Sequence, residues 1–88
     1  MDYLLFTLPN CGDCAVLKKH IAGIDLNVQE FSLVQKESKI KIREFLKVLK
    51  RDEKGAIVIP TLIVLEKKEV AAVLHTPEDL DQWLKSRA

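Results

Sequence analysis

Apolar positions along this chain switch between two spacings. Tyr3-Leu4-Leu5-Phe6 is an unbroken apolar run of strand length, and Cys14, Leu17 and Ile21 then recur at the spacing of one helical face. A strand, a turn and a helix are predicted, the helix ending near Ala22 with Gly23 as a C′ residue that tolerates the left-handed conformation. Asn27-Val28-Gln29-Glu30-Phe31-Ser32-Leu33 is β-rich in residue type but alternates imperfectly, and reads as a second strand. Ile42, Phe45, Leu46 and Leu49 fall at i, i+3, i+4 and i+7, so the clearest helix of the chain is predicted from about Glu37 to Arg51.

Lys54-Gly55 has the composition of a turn, and the run from Ala56 to Leu65 is almost wholly apolar with Pro60 inside it. Proline cannot donate within a sheet ladder, so Pro60 marks the point where a loop gives way to the strand Thr61-Leu62-Ile63-Val64-Leu65. The quartet Glu66-Lys67-Lys68-Glu69 leads to a last extended stretch, Val70 to Leu74. An antiparallel hairpin is expected there, although its turn lacks the usual Gly or Asn. Thr76 as N-cap, Pro77 at the first helical position and Glu78 and Asp79 in the first turn start a final helix. Leu80, Trp83 and Leu84 give that helix its inward face. The element order is βαβαββα in a single α/β domain spanning residues 1–88.

Composition narrows the function classes. Apolar residues make up 48% of the chain and charged residues 31%, the mixture of a folded soluble domain and not of a disordered one. Fourteen basic against thirteen acidic side chains leave a net charge of +1, which calls for neither nucleic acid nor an anionic membrane as partner. Lys39, Lys41, Arg43, Lys47 and Lys50 share the polar side of the second helix, but Glu37 and Glu44 interrupt them, so this side reads as solvated surface. No apolar run approaches the ~20 residues of a membrane span, and Met1-Asp2-Tyr3 has no basic leader. A reducing cytoplasm is expected, where two cysteines three apart are catalytic or metal-binding sooner than structural.

Both cysteines lie in Leu8-Pro9-Asn10-Cys11-Gly12-Asp13-Cys14-Ala15-Val16, at the strand-to-helix turn. Thiols spaced C-x-x-C at a helix start can close a small disulfide with little backbone movement, and the helix N-terminus favours thiolate over thiol. That pattern suits thiol–disulfide exchange. Other readings stay open: an inert or permanently bridged pair, zinc held with further ligands, an iron–sulfur cluster shared across a dimer, or a redox-inert module that binds a peptide near Ile59-Pro60. Zinc within one chain needs ~4 ligands, and His20 and His75 are the remaining candidates, both read as surface residues.

The element order, the C-x-x-C after the first strand and Val58-Ile59-Pro60 before the third together resemble the glutaredoxin family of the thioredoxin-like fold. The resemblance extends to the small glutaredoxin-like proteins that receive electrons from thioredoxin reductase, and it covers essentially the whole chain. It implies a four-stranded mixed sheet flanked by three helices and a cis peptide bond between Ile59 and Pro60. It makes Cys11 the nucleophile and Cys14 the resolving thiol, and it assigns substrate contact to Pro9, Asn10, Ile59 and Pro60. It further implies a disulfide-containing protein as substrate and a thioredoxin reductase system or glutathione as electron donor; no bound cofactor or metal is expected, and, with no apolar heptad or patch calling for a partner, a monomer is expected. Elementary chemistry agrees on the cysteines, because Cys11 falls at or before the first helical turn while Cys14 lies on the inward Leu17/Ile21 face.

The chain also departs from that family. Leu8 stands where many glutaredoxins have lysine, and Gly12-Asp13 replaces a proline and an aromatic residue between the cysteines. No Gly-Gly pair of the glutathione-binding kind occurs around Val70-Ala71-Ala72-Val73. A missing cation and an added carboxylate both disfavour the Cys11 thiolate, which predicts a more reducing dithiol than a typical glutaredoxin. Loss of the Gly-Gly pair predicts that glutathione is a poor partner.

Overall fold

A computed structural model describes residues 1–24 and 26–87. The elements are β1 (Asp2–Thr7), α1 (Gly12–Ala22), β2 (Val28–Ser32), α2 (Lys36–Arg43), β3 (Thr61–Glu66), β4 (Glu69–Leu74) and α3 (Pro77–Arg87). The strands form one sheet in the order β2-β1-β3-β4. β1 runs parallel to β2 with Tyr3 opposite Val28, and antiparallel to β3 with Leu4 opposite Ile63, so the sheet is mixed.

Both faces of this sheet are covered, which explains why β1 and β3 are continuous apolar runs without alternation. Leu5, Leu62, Val64 and Leu74 pack with Leu17 and Ile21 of α1 and Leu80 of α3 on one face. Leu4, Phe6 and Ile63 point the other way, against Ile42, Phe45 and Leu49. Trp83 and Leu84 lie against the first cluster, the packing role their spacing predicts. No described helix is long and apolar enough to cross a membrane.

Two local expectations are corrected. α2 ends at Arg43, eight residues short of the predicted Arg51. Beyond it Phe45 N–H bonds to the Ile42 carbonyl (3.0 Å) and Val48 N–H to Phe45 (3.0 Å), the i+3 bonds of tighter turns. Leu49 N–H bonds to the Phe45 carbonyl at i+4 (3.2 Å), so the chain passes through a mixture of tight and α-type turns in which Phe45 and Leu49 share a buried face while Leu46 is 40% exposed. Gly23, in turn, is not left-handed but sits at φ −84°, ψ −2°. Its N–H bonds to the His20 carbonyl (3.2 Å) and that of Ile24 to Ile21 (3.0 Å), so α1 closes by tightening its last turn and needs no reversal of hand.

The turns follow their chemistry more closely. Asp52 accepts from the amides of Lys54 (2.9 Å) and Ala56 (3.0 Å) around Gly55, whose φ of 82° explains a glycine there. The N-cap of α3 is built as its sequence predicts: Thr76 Oγ1 accepts from Asp79 N–H (3.0 Å), and Asp79 Oδ2 accepts from the amides of Thr76 (3.3 Å) and His75 (3.2 Å).

The β3–β4 hairpin forms in spite of its turn. Glu66 pairs with Glu69 across a two-residue loop, and Lys67 (φ 54°) and Lys68 (φ 69°) both adopt the left-handed conformation of a type I′ turn. Each lysine bears a steric cost of about 1 kcal/mol there. Lys68→Gly is therefore expected to raise stability by roughly 0.5–1 kcal/mol, after allowing for glycine's freedom in the unfolded chain. Urea titration checks it; a loss of stability would contradict the strain argument.

Candidate active site

The end of β1 launches the cysteine loop. Thr7 is buried, and Leu8, Pro9 and Asn10 are exposed as the chain leaves the sheet. Asn10 adopts φ 56°, a conformation asparagine tolerates better than most residues, and this turn delivers Cys11 to the N-cap of α1. Cys11 has the extended backbone of a cap (φ −101°, ψ 110°), and its Sγ accepts from the Cys14 amide at 3.1 Å. A sulfur stands where Ser, Thr, Asp or Asn would ordinarily sit. It thus rests over the amides at the positive end of the helix, the environment that favours a thiolate.

Cys11 and Cys14 are disulfide-bonded, with Cα atoms 5.2 Å apart. Such a separation lies within the ordinary range for a disulfide. Their exposures differ: Cys11 is partly accessible, whereas Cys14 is 3% exposed on the face shared with Leu17 and Ile21. Asp13 lies between them in the exposed first turn.

Two grooves contain the residues to which the sequence pointed. Pro9, Asn10, Cys11 and Cys14 line one, together with Lys18 and Glu30. Ile59 and Pro60 line the other, together with Asp13, Val16 and His75. Gly12 belongs to the first and Asp13 to the second, so consecutive residues of the first turn of α1 border the two grooves. The Ile59-Pro60 bond is cis, and the Thr61 hydroxyl donates to the Val58 carbonyl just beside it.

From the sequence alone two residues of these grooves, Lys18 and Glu30, carry no functional reading, and a third, His75, reads as a surface residue. Lys18 Nζ lies 3.1 Å from Glu30 Oε2, which also accepts from Thr7 Oγ1 at 3.0 Å. A cation therefore does line the cysteine groove, and it is paired with Glu30. His75 is half-buried and not a surface residue, with Nδ1 3.0 Å from the Pro60 carbonyl oxygen. His20 is engaged by Asp81 at 2.8 Å. Among the described residues no three His, Cys, Asp or Glu side chains converge on a point where a metal ion would sit.

The mixed sheet, its three helices, the C-x-x-C at the start of α1 and the cis-proline ahead of β3 define the α/β thioredoxin-like fold. Solved structures agree. A point mutant of the thioredoxin-like protein BC3987 matches with TM-score 0.65 and 18% identity over 94% of this chain and 99% of its own. Thioredoxin 1 of the thermophilic eubacterium Thermosipho africanus matches at 0.61 and 13% identity, over 99% and 98% of the two chains. A malarial protein matches at 0.63 and 20%, over 98% and 97%. At such identities the likeness is one of fold. No protein-family model matches the chain, and no curated protein matches it. The fold together with the bonded Cys11–Cys14 pair is consistent with thiol–disulfide redox activity.

Proposed function

We propose that this chain is a glutaredoxin-like thiol–disulfide oxidoreductase that reduces protein or small-molecule disulfides through Cys11 and Cys14. The observation that carries the reading is the Cys11 sulfur, partly accessible and held at the helix N-cap by the Cys14 amide at 3.1 Å. In the reduced protein the Cys11 thiolate attacks one sulfur of a substrate disulfide, forming a mixed disulfide and expelling the other sulfur as a thiolate, which takes a proton. Cys14 then loses its proton and attacks the Cys11 sulfur, expelling the second substrate thiolate. Two electrons have passed to the substrate, and Cys11–Cys14 is left oxidised. Pro9, Asn10, Ile59 and Pro60 contact the substrate in this reading. Electrons return from an external donor, a thioredoxin reductase system in preference to glutathione, in a monomer working in a reducing cytoplasm.

Parallel coupled assays with the two donor systems test the proposal. Turnover with thioredoxin reductase and little with glutathione and its reductase is the expected result. Efficient turnover of a glutathionylated substrate with the glutathione system alone would overturn the donor assignment, and no turnover with either would overturn the function.

The charges around Cys11 support a potential more negative than the roughly −200 to −230 mV of glutaredoxins. Asp13 is exposed beside Cys11, and the Lys18 cation is spent on Glu30. Asp13→Asn should move the potential in the oxidising direction by roughly 10–20 mV, the size of one exposed charge at a helix start. Equilibration against a glutathione buffer measures both values; an unchanged or more negative potential in the variant would remove Asp13 from the account.

A further inference from the structure

We infer that His75 is a positioning residue that holds the main chain at Ile59 in place as the ledge against which a protein substrate lies, an inference that rests on the disulfide-reductase reading. A carbonyl oxygen only accepts hydrogen bonds, so the 3.0 Å contact with Pro60 requires the proton on His75 Nδ1. Neutral and protonated imidazole alike can supply that proton. The histidine is itself anchored, because its amide donates to Asp79 Oδ2 (3.2 Å), the same carboxylate that caps α3. α3 is thereby tied through one side chain to the loop that precedes β3.

The loop is held on its other side as well. Val58 N–H bonds to the Lys50 carbonyl (3.0 Å), and the fully buried Thr61 donates its hydroxyl to the Val58 carbonyl. Between these fixed points, no backbone bond to the amide or carbonyl of Ile59 occurs among the described residues. Ile59 is half-buried and lines a groove with Asp13, the residue between the two cysteines in the first turn of α1. An unpaired peptide group held rigid on both sides is suited to pair with an extended substrate strand. Without the His75 bond the Pro60 carbonyl and the ledge are free to shift, and the ordering of the ledge is left to each binding event.

The test compares His75→Ala with His75→Asn, whose side-chain N–H group lies near the position of Nδ1 and can donate in its place. Each is assayed with a protein disulfide and with a small aromatic disulfide too short to use the ledge. His75→Ala should raise KM for the protein disulfide about fivefold, the net worth of a neutral hydrogen bond, with kcat within twofold. Turnover of the small disulfide and the alkylation rate of Cys11 should not change, and His75→Asn should restore most of the KM. Unchanged KM in His75→Ala, equal losses on both substrates, or no rescue by asparagine would overturn the inference while the reductase reading stands. A wild-type protein inert toward both disulfides would sink that reading and this one together.

Discussion

Cys11→Ser should abolish disulfide turnover, a loss on the order of 10³-fold or more, while Cys14→Ser should stop the cycle one step later with substrate still attached. The difference follows from where the two sulfurs lie. Cys11 is the accessible one, at the N-cap, where the amide of Cys14 meets its sulfur at 3.1 Å. A serine there can accept the same hydrogen bond and cap the helix at least as well, so α1 should keep its stability while the nucleophile is gone. Cys14 is 3% exposed, sits one turn into the helix and is bonded to Cys11. In the proposed mechanism its role is intramolecular release. In Cys14→Ser the first attack still proceeds, and a mixed disulfide between Cys11 and the substrate should accumulate, visible as a mass increment that a reductant removes. Turnover that survives Cys11→Ser, or a Cys14→Ser protein that forms no adduct, would assign the chemistry elsewhere.

Most chain-local features of the fold were legible, the Gly23 helix end excepted, and contacts between side chains distant in sequence were not. Pro60 at the mouth of β3, the inward face of Cys14, Leu17 and Ile21, and the Thr76 cap each depend on a few neighbouring residues, and each stands where the sequence put it. The tail of α2 fails that condition. Its apolar spacing suits a full helix, yet burial of Phe45 and Leu49 is satisfied by a mixture of i+3 and i+4 turns, and no periodicity argument separates the two geometries over a single turn.

The site divides along the same line. The cysteines announce themselves by spacing. Lys18 and Glu30 meet only because the parallel β1–β2 register sets Leu5 beside Glu30, and Lys18 lies on the helix between those strands. His75 reaches Pro60 across 15 residues of chain, through the pairing of β3 with β4, so in the sequence it is one histidine before a helix cap. Hairpin formation across Lys67-Lys68 makes the complementary point, since packing of both strands outweighs an unfavourable turn.

Phe6→Ala should be the most damaging of the core truncations, at about 3–5 kcal/mol. Its ring is fully buried, with centroids 5.3 Å from Phe31 of the edge strand β2 and 6.2 Å from Phe45 in the tail of α2, so it packs against both. The backbone on either side of it is tied to β2 and β3, so the sheet cannot collapse into the space without breaking both ladders. Against a total stability of about 5–15 kcal/mol for a domain of this kind, the loss is a large fraction. The melting midpoint should fall by at least about 12 °C at roughly 4 °C per kcal/mol. Phe6 also precedes Thr7, the last residue before the cysteine loop. Activity per folded molecule, measured well below the melting range, separates its two possible effects. It should stay near wild type, because the cap geometry of Cys11 is set by α1 and Asn10 and not by the aromatic stack on the opposite face of the sheet. A loss beyond the unfolded fraction would mean that packing on the far face sets the position of the sulfur.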